Sequence, residues 1–141
     1  MKYANLLIGS WDVDFFFAEE DYEIEPVVYC LLDSGASDDI IREALALMER
    51  CWENCGFTFS RESDYRYINP KMHRAVMMIG PTSSGAEFID TFVHEIHHLA
   101  VAIASQLGAY LDSETPAYVA GDTAREFAEV FCEFGCEHCR K

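Results

Sequence analysis

The chain has 141 residues, half of them hydrophobic and 13% aromatic, which is enough to build one domain with a real core. Acidic residues outnumber lysine and arginine by 25 to 10, and the formal net charge of −15 argues against nucleic acid or an anionic membrane surface as a partner. No stretch has the length of a membrane span, and the N-terminal apolar stretch is too short for a signal peptide, so we expect a cytoplasmic protein.

Short apolar or alternating segments predict the strands of the domain. These segments are residues 3–8, 13–17, 24–32, 57–60 and 74–79. Residues 64–68 would either continue the fourth strand or form one arm of a hairpin. Pro26 would place the third strand at a sheet edge or begin its pairing there.

Helical periodicity and capping residues predict the helices at about residues 38–54, 86–107 and 113–134. Ser37 would cap the start of the first helix, Gly56 would end it as a left-handed cap, and Gly108 would close the second helix. Residues 121–123 would kink or split the third. Because strands and one helix precede two or three helices, the order predicts a single α+β domain spanning residues 1–141.

The segment His94-Glu95-Ile96-His97-His98 lies in the second predicted helix and has the sequence H-E-x-x-H. Residues four apart share one helix face, so His94 and His98 can direct imidazole nitrogens at one metal ion. Glu95 lies about 100° round the helix, where it could act on a water without being a ligand. This arrangement predicts a zinc hydrolase site. His97 points elsewhere and is expected at the surface or behind a ligand.

Apolar runs flank the motif at residues 88–93 and 99–104 and predict a helix that is buried on most sides. Three histidines and a glutamate would be costly there without a metal or other partners. The alternative interpretation is a helix whose polar residues match the motif by chance.

A catalytic zinc site usually has a third protein ligand, and the better candidates downstream are carboxylates. They are Asp112, Glu114, Asp122, Glu126 and Glu129. An extended segment after the second helix could return Glu114 to His98, whereas a tight turn would bring Asp122 or Glu126 level with it. The spacing alone does not choose among them.

The motif is followed by Glu114-Thr115-Pro116-Ala117-Tyr118-Val119-Ala120-Gly121. Together the two segments resemble the H-E-x-x-H and E-x-x-A-Y-x-x-G pattern of short zincin-like, gluzincin-like metallopeptidases of phages, prophages and bacteria, over about residues 85–130. The resemblance implies a minimal zincin-like domain with a small, mostly antiparallel sheet, an active-site helix and a following C-terminal helix. It also implies one zinc ion per chain, held by His94, His98 and Glu114, and a peptide or protein substrate.

In such an enzyme Glu95 would be the general base and would pass its proton to the leaving amine. Tyr118 is the preferred donor to the oxyanion, with Tyr110 and His73 as alternatives. In the zincin architecture that the resemblance implies, an edge strand before the active-site helix pairs with an extended peptide, and residues 74–79 occupy that place in the order.

The C-terminal Cys132, Cys136 and Cys139, with His138 among them, could hold a second zinc ion. Because adjacent His138 and Cys139 are awkwardly placed to share one ion, we instead expect residues 132–141 to form a flexible cysteine-rich tail with reduced thiols. Two alternatives to a peptidase stay open. One is a hydrolase of non-peptide amides, and the other is a non-catalytic metal-binding or interaction protein that retains the zincin fold.

Overall fold

A computed structural model describes residues 1–50, 53–62, 73–109 and 113–134, the side chains of residues 129–134 excepted. The described residues form four strands and four helices. In chain order these are β1 Lys2–Ile8, β2 Trp11–Phe17, α1 Ile24–Asp33, α2 Asp38–Arg50, β3 Gly56–Arg61, β4 His73–Ile79, α3 Gly85–Gln106 and α4 Thr115–Phe134. The predicted α+β class is confirmed. The predicted arm at residues 64–68 lies outside the described residues.

The four strands form one mixed sheet in the order β1-β2-β4-β3. β1 pairs antiparallel with β2, and β3 pairs antiparallel with β4, whereas the central strands β2 and β4 run parallel. The prediction that residues 74–79 form the edge strand is wrong, because β4 pairs on both sides, and among the described strands β3 is the edge beside it. The continuous burial of Ala75 through Ile79 is typical of a central strand covered on both faces.

Helices cover both faces of the sheet, and the alternation of side chains along the central strands supplies each layer with apolar residues. On one face, Val13, Phe15, Ala75 and Met77 pack with residues of α3 and α4. On the other face, the core contains Phe16, Val27, Leu31, Ala44, Met48, Val76 and Met78, which join the sheet to α1 and α2. The sheet therefore lies between two helical layers.

The segment predicted as a third strand is helix α1. Its β-branched and aromatic residues favour a strand, but the two fully buried residues are Val27 and Leu31, one helical turn apart. Pro26 lies in the first turn, where its missing N–H is not needed. Burial of one helical face against the sheet therefore outweighs the strand propensity of the segment.

The predicted N-cap of α2 is confirmed, whereas its predicted C-terminal cap, Gly56, is wrong. The hydroxyl of Ser37 accepts a hydrogen bond from the backbone N–H of Ile40 at 3.4 Å. After the helix it is Asn54, with φ 59°, that takes the left-handed conformation, whereas Gly56 begins β3. The side chain of Asn54 accepts a hydrogen bond from the N–H of Ser83 at 2.9 Å, which joins this turn to the loop before α3.

The helix that carries the H-E-x-x-H motif has capped ends. The Ser84 side chain accepts from the Glu87 N–H at 3.2 Å, and Gly108 closes the helix as predicted, in the left-handed conformation with φ 71°. α4 runs unbroken through residues 121–123 and extends to Phe134, so the first three residues of the predicted tail are helical. Among the described residues, no helix is both long and apolar enough to cross a membrane.

Candidate metal centre and its buried glutamate

The two outer histidines of the motif lie together on the exposed side of α3. Nε2 of His94 and Nε2 of His98 are 3.1 Å apart, and their ring centroids are 4.8 Å apart. Two imidazole nitrogens bound at about 2.0–2.1 Å to a tetrahedral zinc ion are roughly 3.3 Å from each other. The pair therefore fits two positions of one metal shell. The same separation also suits an N–H···N hydrogen bond when one ring donates and the other accepts.

Glu95, next to His94, is turned away from solvent and is 4% exposed. Its Oε2 accepts a hydrogen bond of 2.6 Å from the hydroxyl of Thr58 on β3. On its other side the carboxylate lies against Gly56, where an added Cβ would come within 2.5 Å of Cγ and 2.6 Å of Oε1. The carboxylate is thus enclosed between α3 and the edge strand.

The alternation of β3 explains how the helix approaches so closely. Phe57 and Phe59 pack in the core on the far face of the sheet. The residues that alternate with them, Gly56 and Thr58, therefore face α3. A glycine in a strand often marks a place where another segment comes unusually near. Here the small residue makes room for the carboxylate, and its neighbour on the same face supplies the hydrogen bond.

The third metal ligand is not assembled in the described structure. Among the described residues, no group of three or more His, Cys, Asp or Glu side chains is close enough together to hold an ion. The exposed Glu114 precedes α4, and its carbonyl accepts from the Tyr118 N–H at 3.1 Å. Asp122 pairs with Arg125 at 3.1 Å, and Glu126 is exposed. Two more candidates, Asp112 and the side chain of Glu129, lie outside the described part.

The other candidate residues fall in different places. Tyr118 is 69% exposed on α4, so its hydroxyl is open to solvent. His73 is 2% exposed and packs against Trp11 with ring centroids 5.0 Å apart, so it is buried in the core and not accessible to a substrate. His97 is exposed, as expected. Tyr110, His138 and the side chains of the three C-terminal cysteines lie outside the described residues.

The expectation that the helix is buried on most sides is wrong, because the side of α3 that carries the histidines is exposed. All three histidines are exposed, and apolar Ile89 and Val93 on the same helix are 56% and 58% exposed. The argument that polar residues would be costly here therefore applies to Glu95 alone, and a hydrogen bond with Thr58 satisfies one oxygen of that side chain.

Sequence reasoning missed Gly56 and Thr58 as residues of the site. The strand's alternation does place a glycine and a threonine on one face. Nothing local connects that face to a glutamate 37 residues further along, because the contact depends on how α3 folds back over the sheet.

A second polar cluster lies on the opposite face of the sheet. Asp14 is 3% exposed and accepts hydrogen bonds from Tyr3 at 2.8 Å, Asn5 at 3.0 Å and Arg74 at 3.2 Å. Burial, together with the charge of Asp14, raises the pKa of Cys30 to about 11 and also raises the pKa of Tyr3. Arg74 further binds the carboxylate of Asp33, at the end of α1, at 2.9 Å. The cluster thus joins α1 to the sheet.

No family model, no curated protein and no solved structure matches the chain.

Proposed function

We propose that the protein is a zincin-like, zinc-dependent hydrolase that cleaves peptide bonds. His94 and His98 are the metal ligands and Glu95 is the general base. One observation carries the proposal. Two imidazole nitrogens lie 3.1 Å apart at the exposed surface of α3, beside a carboxylate that is buried and held by a hydrogen bond.

The residues present supply two of the three protein ligands that a catalytic zinc ion commonly has. We assign the third to Glu114, which directly precedes α4 and is exposed. A bound zinc ion would polarise the substrate carbonyl and lower the pKa of a water molecule to about 7. Glu95, whose Oε2 accepts a hydrogen bond from Thr58, would accept a proton from that water and would deliver it to the leaving amine.

The edge position of β3 supports a peptide as the substrate. An edge strand presents unpaired backbone N–H and C=O groups, and an extended peptide can add to them as a further strand. β3 pairs with β4 on one side and also contacts the general base through Thr58. A peptide added to the other side of β3, where no described strand pairs, would therefore pair with the strand that holds Glu95.

Metal content is the first test. Protein purified without added zinc should contain about one equivalent by elemental analysis, and His94→Ala and His98→Ala should each lower the zinc affinity by at least tenfold. His97→Ala is the matched control, because His97 is exposed on the same helix and should leave the affinity unchanged. Less than about a tenth of an equivalent in the unaltered protein would refute the metal site.

Hydrolysis is the second test, measured on a mixed library of internally quenched peptides. Glu95→Gln should keep the zinc and lower turnover by about 10²–10⁴-fold, the contribution typical of a general base. Turnover equal to that of the unaltered protein would show that Glu95 is not the base.

A second candidate function is non-catalytic metal binding. The burial of Glu95 and its hydrogen bond to Thr58 favour it, because a purely structural glutamate would be held in the same way. Such a protein would bind zinc through His94 and His98 yet cleave no peptide in the library. Full zinc occupancy without hydrolysis would therefore select this function over the first.

A further inference from the structure

We propose that Thr58 is a positioning residue for Glu95. Its hydroxyl donates to Oε2, and together with the backbone at Gly56 it sets the orientation of the carboxylate. The inference rests on the proposed function, because it gives Thr58 a role only through the general base.

The hydrogen bond itself is the first support. At 2.6 Å it falls within the range of charge-assisted O–H···O⁻ bonds. A threonine hydroxyl has one proton to donate, and the backbone carbonyl oxygen of Glu95 is 3.4 Å away, so the proton goes to the nearer carboxylate. The β-branched side chain of Thr58 also has few rotamers in a strand, which limits where its hydroxyl can point.

Gly56 restricts the remaining atoms of the Glu95 side chain. A Cβ there would lie 2.5 Å from Cγ, 2.6 Å from Oε1 and 2.7 Å from Cδ of Glu95, so the carboxylate lies directly against the backbone of β3. A donor at Oε2 and a backbone surface against Oε1, both supplied by β3, leave the carboxyl group little freedom to rotate. The edge strand therefore sets the orientation of the base.

The strand is itself fixed by its pairing. Thr58 lies opposite Met77 in the antiparallel ladder with β4, and Met77 is fully buried. The position of the hydroxyl is thus determined by the sheet and not by a mobile loop. A misplacement of about 1 Å in a catalytic group can lower the rate by a factor of about 100.

Thr58→Val removes the hydroxyl but keeps the β-branched shape, and Thr58→Ser keeps the hydroxyl. We expect Thr58→Val to lower kcat by about 10- to 100-fold, with KM within about twofold and the zinc content unchanged. Thr58→Ser should restore kcat to within about threefold. The matched control is Thr123→Val. Thr123 is fully buried in α4, and its hydroxyl makes no hydrogen bond to any described residue. Loss of this hydroxyl should change neither kcat nor the order of the Glu95 side chain.

A second readout does not depend on hydrolysis. Relaxation of the ¹³C-labelled side-chain methylene of Glu95, assigned with Glu95→Gln, should show an ordered side chain in the unaltered protein and a mobile one in Thr58→Val. Equal order in both proteins, or equal loss of kcat in the valine and serine variants, would overturn the positioning role. A mobile Glu95 in Thr58→Val, in a protein that cleaves no peptide, would overturn the proposed hydrolase while supporting Thr58 as the residue that orients Glu95.

Discussion

The close approach of Glu95 to Gly56 can be tested by adding a single methyl group. Gly56 does not take a left-handed φ, so its backbone is compatible with alanine. The new Cβ would nevertheless lie 2.5–2.7 Å from three atoms of the Glu95 side chain, where 3.4–4 Å is ordinary contact. The carboxylate would have to move by about 1 Å, which is enough to break its 2.6 Å hydrogen bond with Thr58.

The size of the effect follows from two opposing contributions. A hydrogen bond to a charged group contributes about 1.5–3 kcal/mol, whereas Gly→Ala at a compatible backbone position stabilises by about 0.4–1 kcal/mol. Gly56→Ala should therefore lower the free energy of unfolding by about 1–2 kcal/mol. When Glu95 is replaced by alanine the collision is gone, and the same change should be neutral or slightly stabilising. The expected coupling between the two positions is about 2 kcal/mol.

The assay is a double-mutant cycle of urea unfolding curves for the unaltered protein, Gly56→Ala, Glu95→Ala and the double variant, followed by circular dichroism. Gly85→Ala is the matched control, since a Cβ at Gly85 meets nothing within 4 Å. It should change stability by less than about 1 kcal/mol in either background. A coupling energy below about 0.5 kcal/mol between positions 56 and 95 would refute the contact.

Three further predictions concern other parts of the molecule. Arg74→Met leaves buried Asp14 without its cation and should lower the free energy of unfolding by about 2–3 kcal/mol in urea titrations at pH 7. This is less than the cost of breaking a fully buried pair, because Arg74 is partly exposed. A loss under about 1 kcal/mol would contradict the prediction. The pKa of the Cys30 thiol is raised from 9.0 to about 11, so its protonated form stabilises the folded protein. This contribution to the free energy of unfolding is fully present below pH 9 and is lost as the pH rises to about 11. Cys30→Ala should flatten that part of the curve of urea midpoint against pH, and superimposable curves would exclude the contribution. Glu114→Ala should lower the zinc affinity by at least tenfold in competition with a chelator, and if Glu126→Ala does so instead, the third ligand is misassigned.

Local patterns were sufficient for much of the fold. Alternation in β3 and the apolar residues of β1 predicted strands that the structure contains, and Gly108 ends α3 as expected. These features depend on neighbouring residues, whose periodicity and backbone preferences are visible in the sequence. α1 was wrongly predicted as a strand, because which face of that segment is buried depends on packing against the sheet.

The outer histidines of the motif are the part of the site that sequence alone determined. An α-helix has 3.6 residues per turn, so a spacing of four brings His94 and His98 together wherever the helix lies. The environment of Glu95 was decided by tertiary structure. Its hydrogen bond to Thr58, its contact with Gly56 and the edge position of β3 all depend on the strand order and on α3 lying over the sheet. Such contacts join residues far apart in the chain, and no local preference of the backbone specifies them.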